Sequence, residues 1–236
     1  MKRSEIPAPQ KTIQQLKTIA HIETDFPTKF GIPRQSGIVA SLQGRIVFEP
    51  EYRIAEAVRG LEEFSHLWLI WEFSEAKRDG WSPTVRPPRL GGNVRKGVFA
   101  TRSPFRPNPI GLSSVKLERI EIDAKLGPVL YVSGADLMDG TPIYDIKPYI
   151  AYTDSHPDAV SGFASKPAEY LLEVDLPEAM LQKVAPEKRE GLKAVLSHDP
   201  RPQYQDDPYR IYGMEFAGRE VKFRVDGSRL SVIGIT

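Results

Sequence analysis

The chain has 236 residues, a formal net charge of +1 at pH 7 and no cysteine, which excludes disulfide bonds, thiolate catalysis and zinc sites built on cysteine. A hydrophobic fraction of 40% and a charged fraction of 27% are typical of a soluble globular protein. No apolar run approaches the roughly 20 residues that cross a membrane, and residues 1–10 contain no apolar signal core, so we expect a cytoplasmic protein without membrane association.

The N-terminal part of the chain is predicted to be mainly β. Expected strands are short apolar runs bounded by polar or turn-forming residues, at 16–23, 44–48, 65–73, 110–122, 129–135 and 142–149. A helix is expected at 51–60, where Ile54 and Val58 recur at helical spacing. The run 67–71 is interpreted as part of a strand buried on both faces. Strands dominate and no βαβ alternation appears, which favours a barrel or a sandwich.

A segment rich in Asp, Ser, Pro and Gly, at 152–167, predicts a domain boundary. Beyond it we expect a strand, one or two helices and a three-stranded meander, at 170–175, 177–197, 211–216, 220–225 and 230–235. The sequence therefore predicts a larger domain over residues 1–160 and a smaller α+β domain over residues 161–236.

The segment 74–109 has little periodicity and contains six prolines, and long irregular segments inside compact domains are usually functional. Residues 77–106 carry eight basic residues and one acidic residue, a net charge of +7. Arginines fixed between prolines suit the recognition of phosphate or carboxylate, and Phe99 and Phe105 could offer a face to an unstacked base. The alternative is a solvated loop stiffened by proline. The candidate substrate-binding residues are Arg86, Arg89, Lys96, Arg106, Asn108 and Lys147.

A second candidate is the turn at 136–142 and the strand that follows it. The turn contains Asp136 and Asp139, and the strand places Asp145 and Lys147 on one face. Paired carboxylates can bind ribose hydroxyls or a sulfonium, or accept a proton, so Asp139 and Asp145 are candidates for a general base. The alternative is an Asx turn at Asp139 and Gly140 with an ion pair on the strand.

Other familiar signatures are missing from the sequence. It contains no glycine-rich dinucleotide or phosphate loop and no nucleophile elbow for a serine hydrolase. The four histidines are scattered, so we expect no metal site, and His66 at the start of an apolar strand is interpreted as structural.

Several strings of residues in the same order resemble the TsaA-like (TrmO) family. They are FGIPRQ at 30–35, GLEEFSHLW at 60–68, the Arg- and Pro-rich segment, and DGTP at 139–142. The resemblance runs from about residue 16 to residue 149, and residues 196–204 resemble the C-terminal extension of the bacterial branch. Characterised members of the family are tRNA methyltransferases that act on the threonylcarbamoyl-adenosine next to the anticodon.

The resemblance implies a β-barrel catalytic domain, S-adenosylmethionine as methyl donor, tRNA as substrate, and a homodimer with the cofactor near the subunit interface. Carried over position by position, the cofactor contacts fall on Pro33, Arg34, Gln35, Ser74, Glu75, Arg102, Leu112, Asp136, Leu137, Met138 and Asp139. Some relatives have histidine where this chain has Ser74, so the resemblance does not carry over a side-chain contact at that position.

Two other functions remain open from the residues alone. The chain could be a non-catalytic RNA-binding module that uses only its basic segment. It could also be a methyltransferase of the same scaffold with another acceptor, such as a different RNA base or a small molecule.

Overall fold

The computed structural model describes residues 15–76, 80–165, 171–202 and 207–236. Six antiparallel strands form a closed barrel in the order β1-β2-β7-β6-β3-β8. In chain order the barrel strands are β1 (Ala20–Glu23), β2 (Gln43–Phe48), β3 (His66–Glu72), β6 (Ile110–Asp123), β7 (Gly127–Ser133) and β8 (Thr141–Pro148). A separate two-stranded hairpin, β4 (Thr84–Val85) with β5 (Lys96–Gly97), lies in the basic segment. The prediction of a β-barrel domain is confirmed.

Strand β3 shows how the barrel is filled. Its buried side chains are Leu67, Leu69 and Trp71, which alternate with half-buried ones. The prediction that this strand is buried on both faces was wrong, because a closed barrel has one interior face and the outer face meets solvent or loops. On that outer face the Trp68 indole N–H donates to Asp154 Oδ2 at 2.8 Å.

The prediction of a helix at 51–60 was also wrong. The segment forms two short 3₁₀ helices, Pro50–Tyr52 and Ala55–Val58. Between them Ile54 has an extended backbone, with φ −112° and ψ 116°, which breaks the continuity that an α-helix needs. Of the two positions at helical spacing, Val58 is buried in the barrel core, whereas Ile54 is exposed.

The C-terminal unit contains a four-stranded sheet in the order β10-β11-β12-β9. The antiparallel meander that the sequence predicted is present, and β9 pairs in parallel with β12. Its strands are β9 (Glu173–Asp175), β10 (Tyr212–Phe216), β11 (Arg219–Asp226) and β12 (Arg229–Ile235). Its helices are α2 (Glu178–Leu181), the 3₁₀ helix Pro186–Lys188 and α3 (Arg189–Ser197), whereas α1 (Ala151–Asp154) follows the last barrel strand.

The described residues form two apolar cores. One fills the barrel, and the other lies between the C-terminal sheet and α3. The second core also contains Phe26, Val39 and Leu42, which belong to residues 24–42, the β1–β2 connection of the barrel. A part of the barrel chain is therefore packed into the C-terminal unit.

Candidate functional site

Three irregular segments meet at one end of the barrel: the β1–β2 connection, the β7–β8 connection at residues 134–140, and the loop that contains Arg102. Arg102 Nη1 donates to the side-chain oxygen of Gln35. The backbone N–H of Gly37 donates to the carbonyl of Gly134 at 2.8 Å, which joins the first two segments. The structure thus brings together Gln35, Arg102 and Asp136, one residue from each segment among those that the resemblance assigns to the cofactor.

Asp136 supplies the half-buried carboxyl of this cluster. Its Oδ1 accepts a hydrogen bond of 2.6 Å from the hydroxyl of Ser113, which in turn accepts one of 2.9 Å from the indole N–H of Trp71. Burial raises the pKa of the Asp136 carboxyl above its ordinary value, while the Ser113 hydroxyl, the backbone N–H of Ser36 and the charge of Arg102 act in the opposite direction. A desolvated carboxyl held by fixed donors is typical of a functional site.

Sequence reasoning missed Ser113 and Trp71 as parts of this site. Ser113 is 1% exposed and faces the barrel interior on β6, at a position where strand alternation calls for an apolar side chain. Trp71 lies opposite Gly111, where a Cβ atom would come within 2.2 Å of the indole ring. A serine at an inward strand position next to a glycine was therefore the signal available in the sequence.

Asp139 holds the turn to the first strand of the barrel. Its Oδ1 accepts the backbone N–H of Thr24 at 2.9 Å, and its own N–H donates to the carbonyl of Phe26 at 2.8 Å. Gly140, with φ +72°, donates to Ile22. The bond to Thr24 crosses between segments, so it differs from the local Asx turn that was the alternative.

Leu137 and Met138, the other residues of the β7–β8 connection assigned to the cofactor, offer a ligand mainly their main-chain atoms. Leu137 is buried in the barrel core, and the carbonyl of Met138 accepts the hydroxyl of Thr141 at 2.7 Å. A ligand at this turn would therefore meet the main chain of Leu137 and not its side chain.

Asp145 and Lys147 lie farther along β8. They form an ion pair of 2.9 Å on one face of the strand, as the sequence predicted, and Asp145 Oδ1 also accepts the N–H of Ile146. With a rise of about 3.3 Å per strand residue, Asp145 is about 13 Å along β8 from Thr141, where the β7–β8 connection ends. The ion pair is thus displaced from the cluster around Asp136.

Ser74, Glu75 and Leu112 flank the cluster. Ser74 and Glu75 lie in the 3₁₀ helix Ser74–Ala76 directly after β3, where Phe73 N–H donates to the carbonyl of Pro109. Leu112 is on β6 beside Ser113, but its side chain points outward and is half exposed. A cofactor that touches Leu112 would lie against the outer face of the barrel.

The described part of the basic segment, residues 80–106, carries six basic residues and no acidic one. Arg86, Arg102 and Asn108 are exposed, Lys96 is half-buried, and Arg106 Nη1 donates to the carbonyl of Thr101 at 3.4 Å. Lys77, Arg78 and Asp79 lie outside the described residues, as does the side chain of Arg89.

An exposed aromatic pair lies on the same segment. Trp81 and Phe99 stack with ring centroids 6.1 Å apart, and they are 51% and 72% exposed. The bond from Val98 N–H to the carbonyl of Pro83 and the β4–β5 hairpin hold the two rings together. Phe105, the second predicted aromatic, is less exposed, so the pair that offers a face to a base is Trp81 with Phe99.

Within the described ranges no three His, Asp or Glu side chains gather as metal ligands, and no helix is long and apolar enough to cross a membrane. The ring of His66 lies 6.1 Å from that of Tyr149, and its Nδ1 is 2.9 Å from the hydroxyl of Ser65.

Family models match both parts of the chain. The tRNA-methyltransferase O N-terminal domain matches residues 21–155, and the TrmO C-terminal domain matches residues 169–236. The chain belongs to the TrmO family. This confirms the resemblance seen in the sequence, and with it the class of a methyltransferase built on a β-barrel.

Individual TrmO relatives agree with the family assignment. The tRNA (adenine(37)-N6)-methyltransferase of Escherichia coli K12 is 42% identical over 229 residues, covering 94% of this chain and 97% of the relative. A Pseudomonas aeruginosa relative whose name refers to an S-adenosylmethionine-dependent methyltransferase is 41% identical over 203 residues, covering 83% of this chain and 86% of the relative. A crystal structure of TrmO from P. aeruginosa superposes with a TM-score of 0.79 at 32% identity, covering 97% of this chain and 99% of that one.

Proposed function

We propose that this chain transfers the methyl group of S-adenosylmethionine to the exocyclic amine of adenosine 37 in tRNA, and that this adenosine carries a threonylcarbamoyl group. The support for adenosine 37 is the E. coli relative of that name, which matches over 94% of the chain. The observation that carries the proposal is the convergence of Gln35, Arg102 and Asp136 at one end of the barrel. A cytoplasmic location is part of the proposal because the substrate is tRNA.

The residues of the cluster fit the polar groups of the cofactor. The Arg102 guanidinium is exposed and suits a carboxylate, and the carboxylates of Asp136 and Asp139 suit an ammonium group or ribose hydroxyls. Outward-facing Leu112 offers apolar surface beside them. The proposed cofactor-binding set is Pro33, Arg34, Gln35, Ser74, Glu75, Arg102, Leu112, Asp136, Leu137, Met138 and Asp139.

When bound, S-adenosylmethionine supplies an electrophilic methyl group on a sulfonium. The task of the protein is to align the acceptor nitrogen with that methyl group, and alignment alone can supply a large part of the barrier reduction. An exocyclic amine that bears a carbamoyl group is a poor nucleophile because its lone pair is delocalised. Loss of its proton during attack would help, so a carboxylate base is expected nearby.

Among the carboxylates, Asp136 is the best placed for this task. Asp139 is exposed to solvent whereas Asp136 is half-buried, and Asp145 is paired with Lys147 away from the cluster. Burial raises the pKa of Asp136, which makes it a stronger proton acceptor than an ordinary aspartate. We therefore place Asp136 ahead of the two candidates that the sequence suggested.

The basic segment is the proposed tRNA surface. Six basic residues and no acidic one at residues 80–106 complement the phosphates of an anticodon stem. The pair Trp81 and Phe99 offers a stacking face for an unpaired loop base, which is how single-stranded RNA is commonly held. The threonyl carboxylate of the substrate would pair with one of Arg86, Arg89, Arg102 or Arg106. The proposed substrate-binding set is Arg86, Arg89, Lys96, Arg106, Asn108 and Lys147.

We further propose a division into a catalytic domain at residues 1–160 and a smaller domain at 161–236, and a two-fold symmetric homodimer. The interior of a small barrel is filled by side chains, so an open cofactor cleft forms more easily at the outer face or between two barrels. The exposed position of Leu112 supports this arrangement.

Calorimetry with two matched arginine variants tests the cofactor site. Arg102→Ala should weaken S-adenosylmethionine binding by about tenfold or more, because a charge-assisted contact is lost. Arg95→Ala is the control, since Arg95 lies in the same segment but donates to Thr84 Oγ1 at 2.9 Å, away from Gln35. Equal loss in both variants would argue against the site, and no binding by the wild-type protein would overturn the proposed function.

A further inference from the structure

We propose that the C-terminal unit fixes the conformation of the β1–β2 connection, so that cofactor affinity depends on contacts between this connection and the C-terminal unit. The inference rests on the proposed function, which places the cofactor against Pro33, Arg34 and Gln35. It assigns the C-terminal unit a role in shaping a site whose proposed ligands all come from the barrel part of the chain.

Apolar side chains of the connection pack into the C-terminal core. Phe26 is 2% exposed and meets Phe216 edge to face, with ring centroids 5.4 Å apart. Phe30 stacks against Tyr212 and Phe223 at 6.5 Å each. Rings packed in this way leave their backbone few alternative positions, because protein interiors are close-packed.

Polar contacts reinforce the same attachment. The carboxylate of Asp25 accepts a hydrogen bond of 2.8 Å from Lys188 Nζ, and both side chains are largely buried. The carbonyl of Asp25 accepts the N–H of Ala217 at 2.9 Å. Salt screens a charge-assisted bond with little exposure less than it screens a surface pair, so this bridge should persist at ordinary ionic strength.

A second polar contact reaches the proposed cofactor residues directly. Arg34 Nη2 donates to the carbonyl of Arg201 at 3.0 Å. Arg201 is itself fixed, because its guanidinium binds both carboxylate oxygens of Asp199 at 2.9 and 3.0 Å. The acceptor that Arg34 uses is therefore rigidly placed.

Gly31 allows a close approach between the connection and the C-terminal unit. Its φ of +92° is in the left-handed region, and a Cβ atom built on it would lie 2.1 Å from Met214 Sδ and 2.7 Å from Met214 Cγ. Met214 is fully buried on β10, so it presses on the connection two residues before Pro33. A side chain at position 31 would force Met214 or the connection to move.

Residues 35–37 of the connection contact the cluster around Asp136. Gln35 accepts from Arg102, the N–H of Ser36 donates to Asp136, and Gly37 donates to Gly134 at 2.8 Å. The connection is thus held between the C-terminal unit and the cluster around Asp136. A misplacement of about 1 Å can cost roughly 100-fold in rate. Loosening the C-terminal contacts should therefore impair both the binding and the alignment of the cofactor.

Two lysines of the full-length chain provide a matched test. Lys188→Met removes the bridge to Asp25, whereas Lys183→Met removes a bond of equal length, 2.8 Å, from Lys183 Nζ to the carbonyl of Ile235 inside the C-terminal unit. We expect Lys188→Met to raise the Kd for S-adenosylmethionine by roughly three- to tenfold, the range for the net contribution of one ordinary hydrogen bond, with the KM for tRNA unchanged. Lys183→Met should leave both constants unchanged, and Lys188→Arg should restore cofactor affinity.

A pair of glycines gives a second measurement that does not depend on Lys188. Gly31→Ala and Gly37→Ala both place an alanine at positive φ, but a Cβ at Gly37 meets no atom within 4 Å. Gly31→Ala should therefore weaken cofactor binding more than Gly37→Ala. If wild-type protein binds the cofactor and neither Lys188→Met nor Gly31→Ala differs from its control, the inference is wrong. If wild-type protein does not bind it, the proposed function fails first and the inference with it.

Discussion

Ser113 places its hydroxyl between an indole N–H and a carboxylate in the barrel interior. It accepts from Trp71 and donates to Asp136, so the orientation of the carboxyl is set by two side chains that cannot themselves reach solvent freely. Such partners fix a functional group in place and tune its proton affinity.

Ser113→Ala should shift the pH dependence of methyl transfer. The Ser113 hydrogen bond lowers the pKa of Asp136, so its loss raises that pKa further. If deprotonated Asp136 is the base, the acidic limb of the kcat profile moves to higher pH. The change should also destabilise the fold by about 1–3 kcal/mol, because the buried Trp71 N–H loses its acceptor. Ser114→Ala is the control, since the Ser114 side chain points away from the barrel interior. An acidic limb that stays in place would remove Asp136 as the base.

Asp136→Asn should separate stability from activity. Because burial raises the folded-state pKa of Asp136, folding is favoured when this group is protonated, and that stability is lost as pH rises from the ordinary Asp value through the folded pKa. At pH 7 the asparagine variant should therefore unfold at the same temperature as the wild type or a higher one, with methyl transfer strongly reduced. A lower melting temperature at pH 7 with full activity would contradict this assignment.

At the scale of elements, the basic segment combines an irregular backbone with a dense positive charge. The β4–β5 hairpin and the exposed pair of Trp81 and Phe99 give it local order without a buried face of its own. Such a segment has little apolar packing of its own, so a bound polyanion should stabilise its conformation through charge.

The salt dependence of tRNA binding tests this segment. Replacing Arg86, Arg89 and Lys96 by alanine should weaken binding and reduce the slope of log K against log salt by about 2–3, roughly 0.7–0.9 for each phosphate contact that is lost. Cofactor affinity, measured in parallel, should change little. An unchanged slope in the triple variant would show that the cluster is only a solvated face.

Strand alternation and turn residues were enough to predict most strands of the barrel and the C-terminal meander. They could not reveal that Phe26 and Phe30 pack against the C-terminal sheet, because periodicity shows which side of an element is apolar and not which distant partner covers it. The bond from Arg34 to Arg201 joins residues 167 positions apart. Asp136 was named from the turn and by resemblance, and the inward position of Ser113 was open to sequence reasoning. The bond between them joins β6 to the β7–β8 connection and is visible only once the barrel closes.

At the scale of the whole molecule, the site contacts seen within one chain constrain how a dimer could share the active site. Arg102 reaches Gln35 of its own chain, and its charge acts on its own Asp136. The proposed dimer therefore needs the partner for covering the outer face near Leu112 and not for supplying Arg102.

Sedimentation and subunit mixing test this arrangement. The wild-type protein should sediment as a dimer, and mixing Arg102→Ala with Asp136→Asn protein should restore no activity, because both residues act in the same site of one protomer. Recovery of activity in the mixture would show that Arg102 crosses to the partner. A fully active monomer at working concentration would overturn the dimer.

Methyl transfer to two forms of one tRNA tests the central claim most directly. Purified protein and S-adenosylmethionine would be incubated with tRNA that carries threonylcarbamoyl-adenosine at position 37, and with the same tRNA lacking that group, followed by mass spectrometry of the nucleosides. We predict one added methyl group on the threonylcarbamoyl-adenosine and little or none on the unmodified tRNA. Methylation of unmodified adenosine at an equal rate would contradict the proposed acceptor, and no methylation of either tRNA would contradict the proposed activity.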